Sequence, residues 1–330
     1  MSVSHRISAT GFTISELIRE SAELSLGIHP ADMAPQAMET PLCAGRLMVH
    51  EVYPGLTATA NDVSYLSEHE LSVEMEPSLL CGLVLRGEND MMNAEGYGQV
   101  TKRLEQPTVV GFGRSTRFRR ICKAPYTSCA AGFILKPSFF DRFGEDVTDD
   151  GLIALRDFFS GDFRVETLPR SARVIELGQR NLDHPYNGQL GELFLESNTL
   201  SFVIEIAELL KQERRLVAQI GRRHYDRVME ARDMLDANLV TPPQTLDLAR
   251  QIGVNITTLQ DNFKKVFGTT IFGYVRTQRL LMARVLLLDY RLSVAEAGYR
   301  VGFASPAAFT AAYRRHFGHP PGKETARERD

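Results

Sequence analysis

The strongest constraint on the fold is a phrase of two short helices and a glycine turn, written twice in about the last hundred residues. Residues 245–267 read TLDLARQIGVNITTLQDNFKKVF, and residues 293–317 read SVAEAGYRVGFASPAAFTAAYRRHF. Each copy opens at a helix-start residue, Thr245 or Ser293, and runs through a short apolar-periodic helix to Gly253 or Gly302. Each restarts at a second cap, Asn255 or Ser305, and ends in an aromatic-rich, basic helix. Two short helices joined by a glycine turn are the signature of a helix-turn-helix that enters the major groove of DNA. The units predicted here are 245–266 and 293–316.

Local physics supports each element. Ser293 and Glu296 form an S-x-x-E capping box, which satisfies two orphan amides at a helix start. Ser305 followed by Pro306 places a capping hydroxyl at the N-cap and a preset backbone angle at the first helical position. Gly253 and Gly302 stand where a helix must end sharply, and glycine reaches the left-handed region without steric cost. In the first unit Ile256, Leu259, Phe263 and Val266 or Phe267 recur at three and four, predicting one buried face. That leaves Thr257, Thr258, Gln260, Asp261 and Lys264 facing out. One such hairpin also fits a plain helical pair with a solvated polar face; two with a connecting helix favour the DNA reading.

The connection, residues 271–289, has no breaker after Gly273 and carries Val275, Leu280, Ala283, Leu286 and Leu287. At ~1.5 Å per residue it predicts a helix of roughly 29 Å, close to one turn of B-DNA at about 34 Å. A rigid spacer of that length can place two reading helices in successive major grooves.

On these residues the segment 226–322 resembles the DNA-binding domain of AraC/XylS-type transcription regulators. The resemblance rests on Leu246, Ala249, Gly253, Leu259, Phe263, Lys264 and Gly268 in the first unit, and on Tyr274, Arg279, Leu280, Ala283 and Leu286–Leu287 in the connection. In the second unit it rests on Val294, Glu296, Gly302–Phe303, Phe309, Phe317–Gly318 and Pro320–Pro321. Within the family, FGTTIFGYVRTQRL and GFASPAAF look most like regulators of siderophore uptake of the pyochelin and yersiniabactin type. Two departures stand out. Gly298 occupies a position where the family usually has alanine, and the closing motif is PPGKETAR rather than Pro-Ser-x-Tyr-Arg.

Overall the chain is near neutral, with 38 Lys+Arg against 41 Asp+Glu and a net charge of −3. The halves differ. Residues 221–330 hold 17 Lys+Arg against 11 Asp+Glu, net +6, and the remainder holds 21 against 30, net −9. A basic module tied to an acidic one fits a nucleic-acid domain, 221–330, joined to a sensing and dimerising domain, 1–220.

Cys43, Cys81, Cys122 and Cys129 form no C-x-x-C pair and read as thiols of a reducing compartment. The first residues lack an apolar core of signal-peptide length, and no run of eighteen apolar residues occurs, so the expected location is the cytoplasm, with no membrane partner.

The N-terminal half reads as short strands: Leu47–Tyr53, Ser72–Glu76, Leu80–Arg86, Thr108–Phe112, Arg117–Cys122 and Ser128–Leu135, separated by turn signals. Their spacing suggests a sandwich or open barrel, and the resemblance implies a cupin-like barrel that binds a small effector. Helices follow at Pro137–Phe143, roughly Asp150–Phe159, Arg170–Arg180, and as one long helix or a broken pair from Gln189 to about Ile220. The stripe Leu200, Val203, Ala207 and Leu210, with Ile206 and Leu209 beside it, fits either packing against the barrel or a homodimer seam. The predicted class is therefore α+β, with a cupin-like barrel or sandwich and helices preceding an all-α domain of two helix-turn-helix units.

No catalytic constellation is legible. The histidines His5, His29, His50, His69 and His184 are far apart, so the close H-x-H pair of a metal-holding cupin enzyme is missing. There is no G-x-S-x-G elbow, phosphate loop or H-E-x-x-H, and no cofactor or metal site is predicted. The local charge cluster is Arg114, Arg117, Arg119, Arg120 and Lys123. Arg117 and Arg119 share one face of a strand and Arg120 the other. With Phe118 and Tyr126 they suit an anionic, aromatic ferric chelate, so Arg117, Arg119 and Tyr126 are the ligand candidates; a solvated strand edge guarded by charge fits the same residues.

For the reading helices, Thr257, Thr258, Gln260 and Asp261 are predicted at base edges, Gln260 suiting adenine and Asp261 a cytosine amino group. Asn255 caps the helix, whose amides can meet a phosphate, and Lys264 suits the backbone. In the second helix Pro306, Ala307, Ala308 and Ala311 offer almost no hydrogen bonds, which suits thymine methyls and groove shape. Ser305 caps, Thr310 adds a weak contact, and Arg314 and Arg315 suit phosphates. The expected function is a ligand-dependent transcription activator acting on promoter DNA with RNA polymerase, its effector a ferric siderophore. The alternatives are a sensor of another metabolite, an oligomerisation module without ligand, and a cupin-type enzyme with a DNA-binding tail.

Overall fold

The computed structural model describes residues 6–16, 26–30, 38–87, 90–122, 126–144, 147–288 and 290–326. The chain divides into two compact units, Met1–Lys211 and Gln212–Asp330.

The first unit is built on two antiparallel sheets. A seven-stranded sheet has the order β1 (Arg6–Thr13), β3 (Pro41–Tyr53), β4 (Leu56–Tyr65), β11 (Tyr126–Leu135), β6 (Ser78–Gly87), β9 (Thr108–Phe112) and β12 (Arg164–Thr167). A five-stranded sheet has the order β2 (Leu26–Pro30), β5 (His69–Met75), β10 (Thr116–Cys122), β7 (Asp90–Ala94) and β8 (Gly98–Lys102). The six strands read from the sequence all form, with Thr108–Phe112 at the expected bounds. The others escaped the pattern. β4 carries Ala, Asn and Asp at positions where β-branched residues usually mark a strand.

Phe133, Leu135, Leu83 and Phe158 anchor the main core. Onto it pack α1 (Asp150–Arg156), α2 (Ala172–Leu182) and part of α3 (Gly188–Ile220). α3 runs unbroken for 33 residues, so the long-helix alternative holds over the broken pair. Its stripe packs on the core: Val203, Ile206, Ala207 and Leu210 are buried in it, with Leu200 and Leu209 against it. Pro137–Phe143 is a 3-10 helix, and Asp157–Phe159 continues α1 as a second one.

The second unit is all helical. Gly221, at φ 83°, separates α3 from α4 (Arg222–Ala237). There follow α5 (Thr245–Gln251), α6 (Ile256–Phe267), α7 (Ile271–Leu288), α8 (Val294–Arg300), α9 (Pro306–Phe317) and α10 (Gly322–Ala326). Two apolar cores form, one for each helix-turn-helix. Tyr225, Leu235, Leu248, Phe263 and Tyr274 anchor the first, and Leu280, Ala283, Leu287, Phe309 and Tyr313 the second. The same helix, α7, contributes to both. A spacer that feeds two cores cannot be displaced from one without opening the other. Among the described residues, no helix is long and apolar enough to cross a membrane.

Candidate nucleic-acid interface

In the first helix-turn-helix α5 is capped by Ile252, and Gly253 turns the chain at φ 70°. The cap of α5 differs from expectation. Thr245 is the first helical residue, and Gln244 precedes it with no side-chain cap bond. Asn255 behaves as predicted, its Oδ1 accepting from the Thr258 amide at 2.7 Å. Helix α6 then buries Leu259, Phe263 and Val266, with Ile256 and Phe267 half-buried, and Asn262 joins the covered face. Opposite that face Thr257, Gln260, Asp261 and Lys264 are exposed, while Thr258 is half-buried.

The second helix-turn-helix repeats the design with different chemistry. The Glu296 amide donates to Ser293 Oγ at 3.3 Å and the Ser293 amide to Glu296 Oε2 at 3.0 Å, completing the capping box. Those bonds to Ser293 hold the Glu296 carboxyl below its ordinary value. Gly302 turns the chain at φ 86°. Ser305 Oγ accepts from the Ala308 amide at 3.2 Å, with Pro306 opening α9. Ala307, Arg314 and Arg315 are exposed and Thr310 is half-buried. With Pro306 and Ala311 they line one shallow groove, apolar along its length and cationic toward the helix end.

Gly298 turns out to be a packing requirement. A Cβ there would lie 2.9 Å from Cδ1 and 3.1 Å from Cβ of Phe309, a fully buried ring. Glycine at this place lets α8 approach α9 closely, so the departure from alanine tightens the pair.

Three ties were not foreseen as such. Arg279 of α7 donates from Nε to the Leu239 carbonyl at 2.7 Å, from Nη1 to Gly302 at 3.0 Å and from Nη2 to Val240 at 2.9 Å. Burial holds its pKa below the ordinary arginine value. Tyr274 Oη donates to Asp236 at 2.9 Å, fixing α4 to α7. In the closing PPGKETAR motif, Glu324 is 3% exposed, accepts from Tyr313 Oη at 3.1 Å and pairs with Arg284 at 3.1 Å. Burial and the facing carboxylate push the Tyr313 hydroxyl well up. The closing segment thus anchors α9 from behind. No spacing rule points from Glu324 to Tyr313, because the contact depends on how three helices meet.

In the first unit, β10 lies inside the five-stranded sheet between β5 and β7, so the guarded-edge reading of its arginines is overturned. Arg117 pairs with Glu74 at 3.2 Å, and Arg119 lies 3.9 Å from Glu95. Arg114 pairs with Asp162. Tyr126 stacks on Tyr65 at 5.9 Å, and the cation over Tyr65 is Arg120, with Arg117 and Arg119 engaged by the glutamates. Lys123 lies outside the described residues. Cys43 and Cys81 are buried and Cys129 half-buried, and burial pushes the Cys81 thiol up. Among the described residues no group of three or more His, Cys, Asp or Glu side chains is placed to hold a metal ion.

Comparison with known proteins gives two family matches: the regulatory protein PchR N-terminal domain over residues 44–220 and a helix-turn-helix domain over residues 248–327. The chain is 33% identical over 136 residues to the regulatory protein PchR of Pseudomonas aeruginosa, covering 41% of this chain and 46% of that protein. It is 28% identical over 108 residues to the HTH-type transcriptional regulator ExsA of the same species, covering 33% of this chain and 38% of that protein. The matched stretch thus spans less than half the length of either relative. A solved transcriptional regulator from Chromobacterium violaceum, described as an AraC-type DNA-binding domain-containing protein, is 34% identical over 31% of this chain and 91% of its own, at a TM-score of 0.30.

Proposed function

Because the chain belongs to the AraC family of regulators and carries an N-terminal domain of the regulatory protein PchR family, we propose that it is a sequence-specific, DNA-binding transcription regulator. The observation that carries this reading is the doubled helix-turn-helix with outward-facing second helices, both built on α7. The 18 residues of α7 are about 27 Å long at ~1.5 Å per residue. That length suits two reading helices entering successive major grooves about 34 Å apart along one face of the duplex. Gln260 and Asp261 supply donor and acceptor patterns for base edges in one groove. Ala307 and Ala311 supply methyl-sized contacts in the other, with Arg314 and Arg315 on the backbone.

The N-terminal unit is the effector sensor in this reading, and its ligand a ferric siderophore. The match of residues 44–220 to the PchR N-terminal domain and the resemblance of FGTTIFGYVRTQRL to siderophore-uptake regulators support it. The protein then acts in the cytoplasm as an activator, on promoters of iron-acquisition genes and with RNA polymerase. Genome-wide occupancy under iron-starved and iron-replete growth tests both levels. Peaks upstream of siderophore genes that change with iron are expected. Peaks elsewhere remove the siderophore and keep the regulator, and an absence of sequence-specific peaks removes the regulator itself.

A further inference from the structure

Between the two helix-turn-helix units lies a cleft of about 680 Å³. Its wall includes Gln260 of α6, Phe272 and Arg276 of α7, and Gly302 and Phe303 of the second turn. Phe272 is 70% exposed, more than any other large apolar side chain among the described residues. Leu246, 46% exposed, stands on the same cleft. Over the Phe272 ring lies the Arg276 guanidinium, 5.0 Å from its centroid.

Other arginines of this unit have partners within it. Arg279 is held by three carbonyls, Arg284 by Glu324, Arg250 by Asp247 and Arg227 by Glu230. Among the described residues Arg276 has the Phe272 ring as its one partner, and no carboxylate lies within ion-pair distance of it. Its guanidinium fork is open to an outside partner, on a stem whose freedom the ring restricts.

We propose that Arg276, positioned by Phe272, binds a phosphate of the DNA backbone where the strand passes between the two reading helices. The inference rests on the DNA-binding reading above and adds a site to it. Gln260 belongs both to the predicted base-reading surface and to the wall of this cleft. A duplex whose major groove receives α6 therefore brings its sugar–phosphate ridge to the same wall. The guanidinium fork matches two phosphate oxygens, and the exposed ring offers an apolar face to the deoxyribose. The contact carries no sequence information and fixes how far the duplex sits from α7.

Salt-dependent binding of the full chain to a mixed-sequence duplex of about 30 base pairs tests it, since each neutralised phosphate adds about 0.9 to the slope of log K against log salt. Arg276→Ala and Arg276→Gln are expected to lower that slope by about 0.9 with unchanged melting, Gln preserving the packing of the stem on the ring. Phe272→Ala is expected to weaken binding several-fold at unchanged slope. Arg314→Ala serves as the reference. A wild-type slope in both Arg276 variants alongside a lowered slope in Arg314→Ala overturns the Arg276 site alone. Wild-type slopes in all of them, or no binding by the unaltered chain, overturn the DNA-binding reading with it.

Discussion

The Arg279 guanidinium donates to the Gly302 carbonyl at 3.0 Å, joining the middle of the connecting helix to the turn of the second helix-turn-helix, 23 positions away. Its other two bonds reach Leu239 and Val240, the segment that follows α4. One planar side chain thus fastens the turn of one unit to the entrance of the other. Arg279→Lys keeps the charge and loses the fork. We expect a loss of about 3–6 kcal/mol, because hydrogen bonds to charged groups contribute ~1.5–3 kcal/mol each and an ammonium recovers one of the three. Urea unfolding of the full chain, followed at its C-terminal transition, measures it; a change below the error of the method removes Arg279 as the tie.

Gly298→Ala separates propensity from packing. Alanine favours a helix interior by about 1 kcal/mol over glycine. Here its methyl meets the Phe309 ring at 2.9 Å, and overpacking typically costs ~1–3 kcal/mol. Net destabilisation is expected in a thermal melt. Stabilisation would mean that the α8–α9 pair has room to spare.

Glu324 links Tyr313 and Arg284 at the back of α9. Glu324→Ala leaves the buried hydroxyl without its acceptor and Arg284 without its partner. The expected loss is about 2–3 kcal/mol, part of the ion pair being screened because Arg284 is partly exposed. Tyr313→Phe removes only the donor and is expected to cost about 1 kcal/mol. Equal effects in the two variants would place the stabilisation in the hydroxyl rather than in the carboxylate's double role.

On DNA, Gln260→Ala is expected to relax preference at one or two base pairs by about 1–3 kcal/mol. Arg314→Ala is expected to weaken all sequences alike and flatten the salt dependence. Binding to a randomised duplex library at two salt concentrations distinguishes them. Identical behaviour of the two variants contradicts the sorting of base readers from backbone anchors.

Acid should loosen the N-terminal unit. His50 sits on β3 with its pKa lowered from 6.5, chiefly by burial, an effect that Glu192 partly offsets. His184, packed against Phe194, is lowered from 6.5 as well, again chiefly by burial. A histidine depressed in the folded state binds fewer protons there than in the unfolded chain. Its contribution is therefore complete above about pH 6.5 and is lost as pH falls through the folded value. Melting of the unit should drop between pH 7 and pH 5, and His50→Gln should shrink the drop. An unchanged pH dependence in that variant would assign the acid sensitivity to other groups.

How much of this was legible in the chain differs between the halves. The helix-turn-helix units are written in local signals, each acting within a few residues: Asn255 and Ser305 at their caps, the Ser293–Glu296 box, Gly253 and Gly302 at their turns. Such signals need no partner from far away, and both units stand where they were expected. The exposed set on α6 followed from the same periodicity, except that Thr258 is half-covered and Asn262 turns inward.

In the sheets the outcome depended on pairing between distant strands. Arg117 and Arg119 have the same alternation whether β10 is an edge or an inner strand; only the pairing with β5 and β7 places Glu74 and Glu95 beside them. The same holds for Arg279, Gly298 and Glu324. The sequence by itself determined the elements of the C-terminal unit, their caps, and which side of each reading helix faces out, because those depend on backbone geometry over one or two turns. The tertiary structure decided which of those residues touch one another. A carbonyl at Gly302, a ring at Phe309 and a hydroxyl at Tyr313 become partners only when helices far apart in the chain close to within a few ångströms.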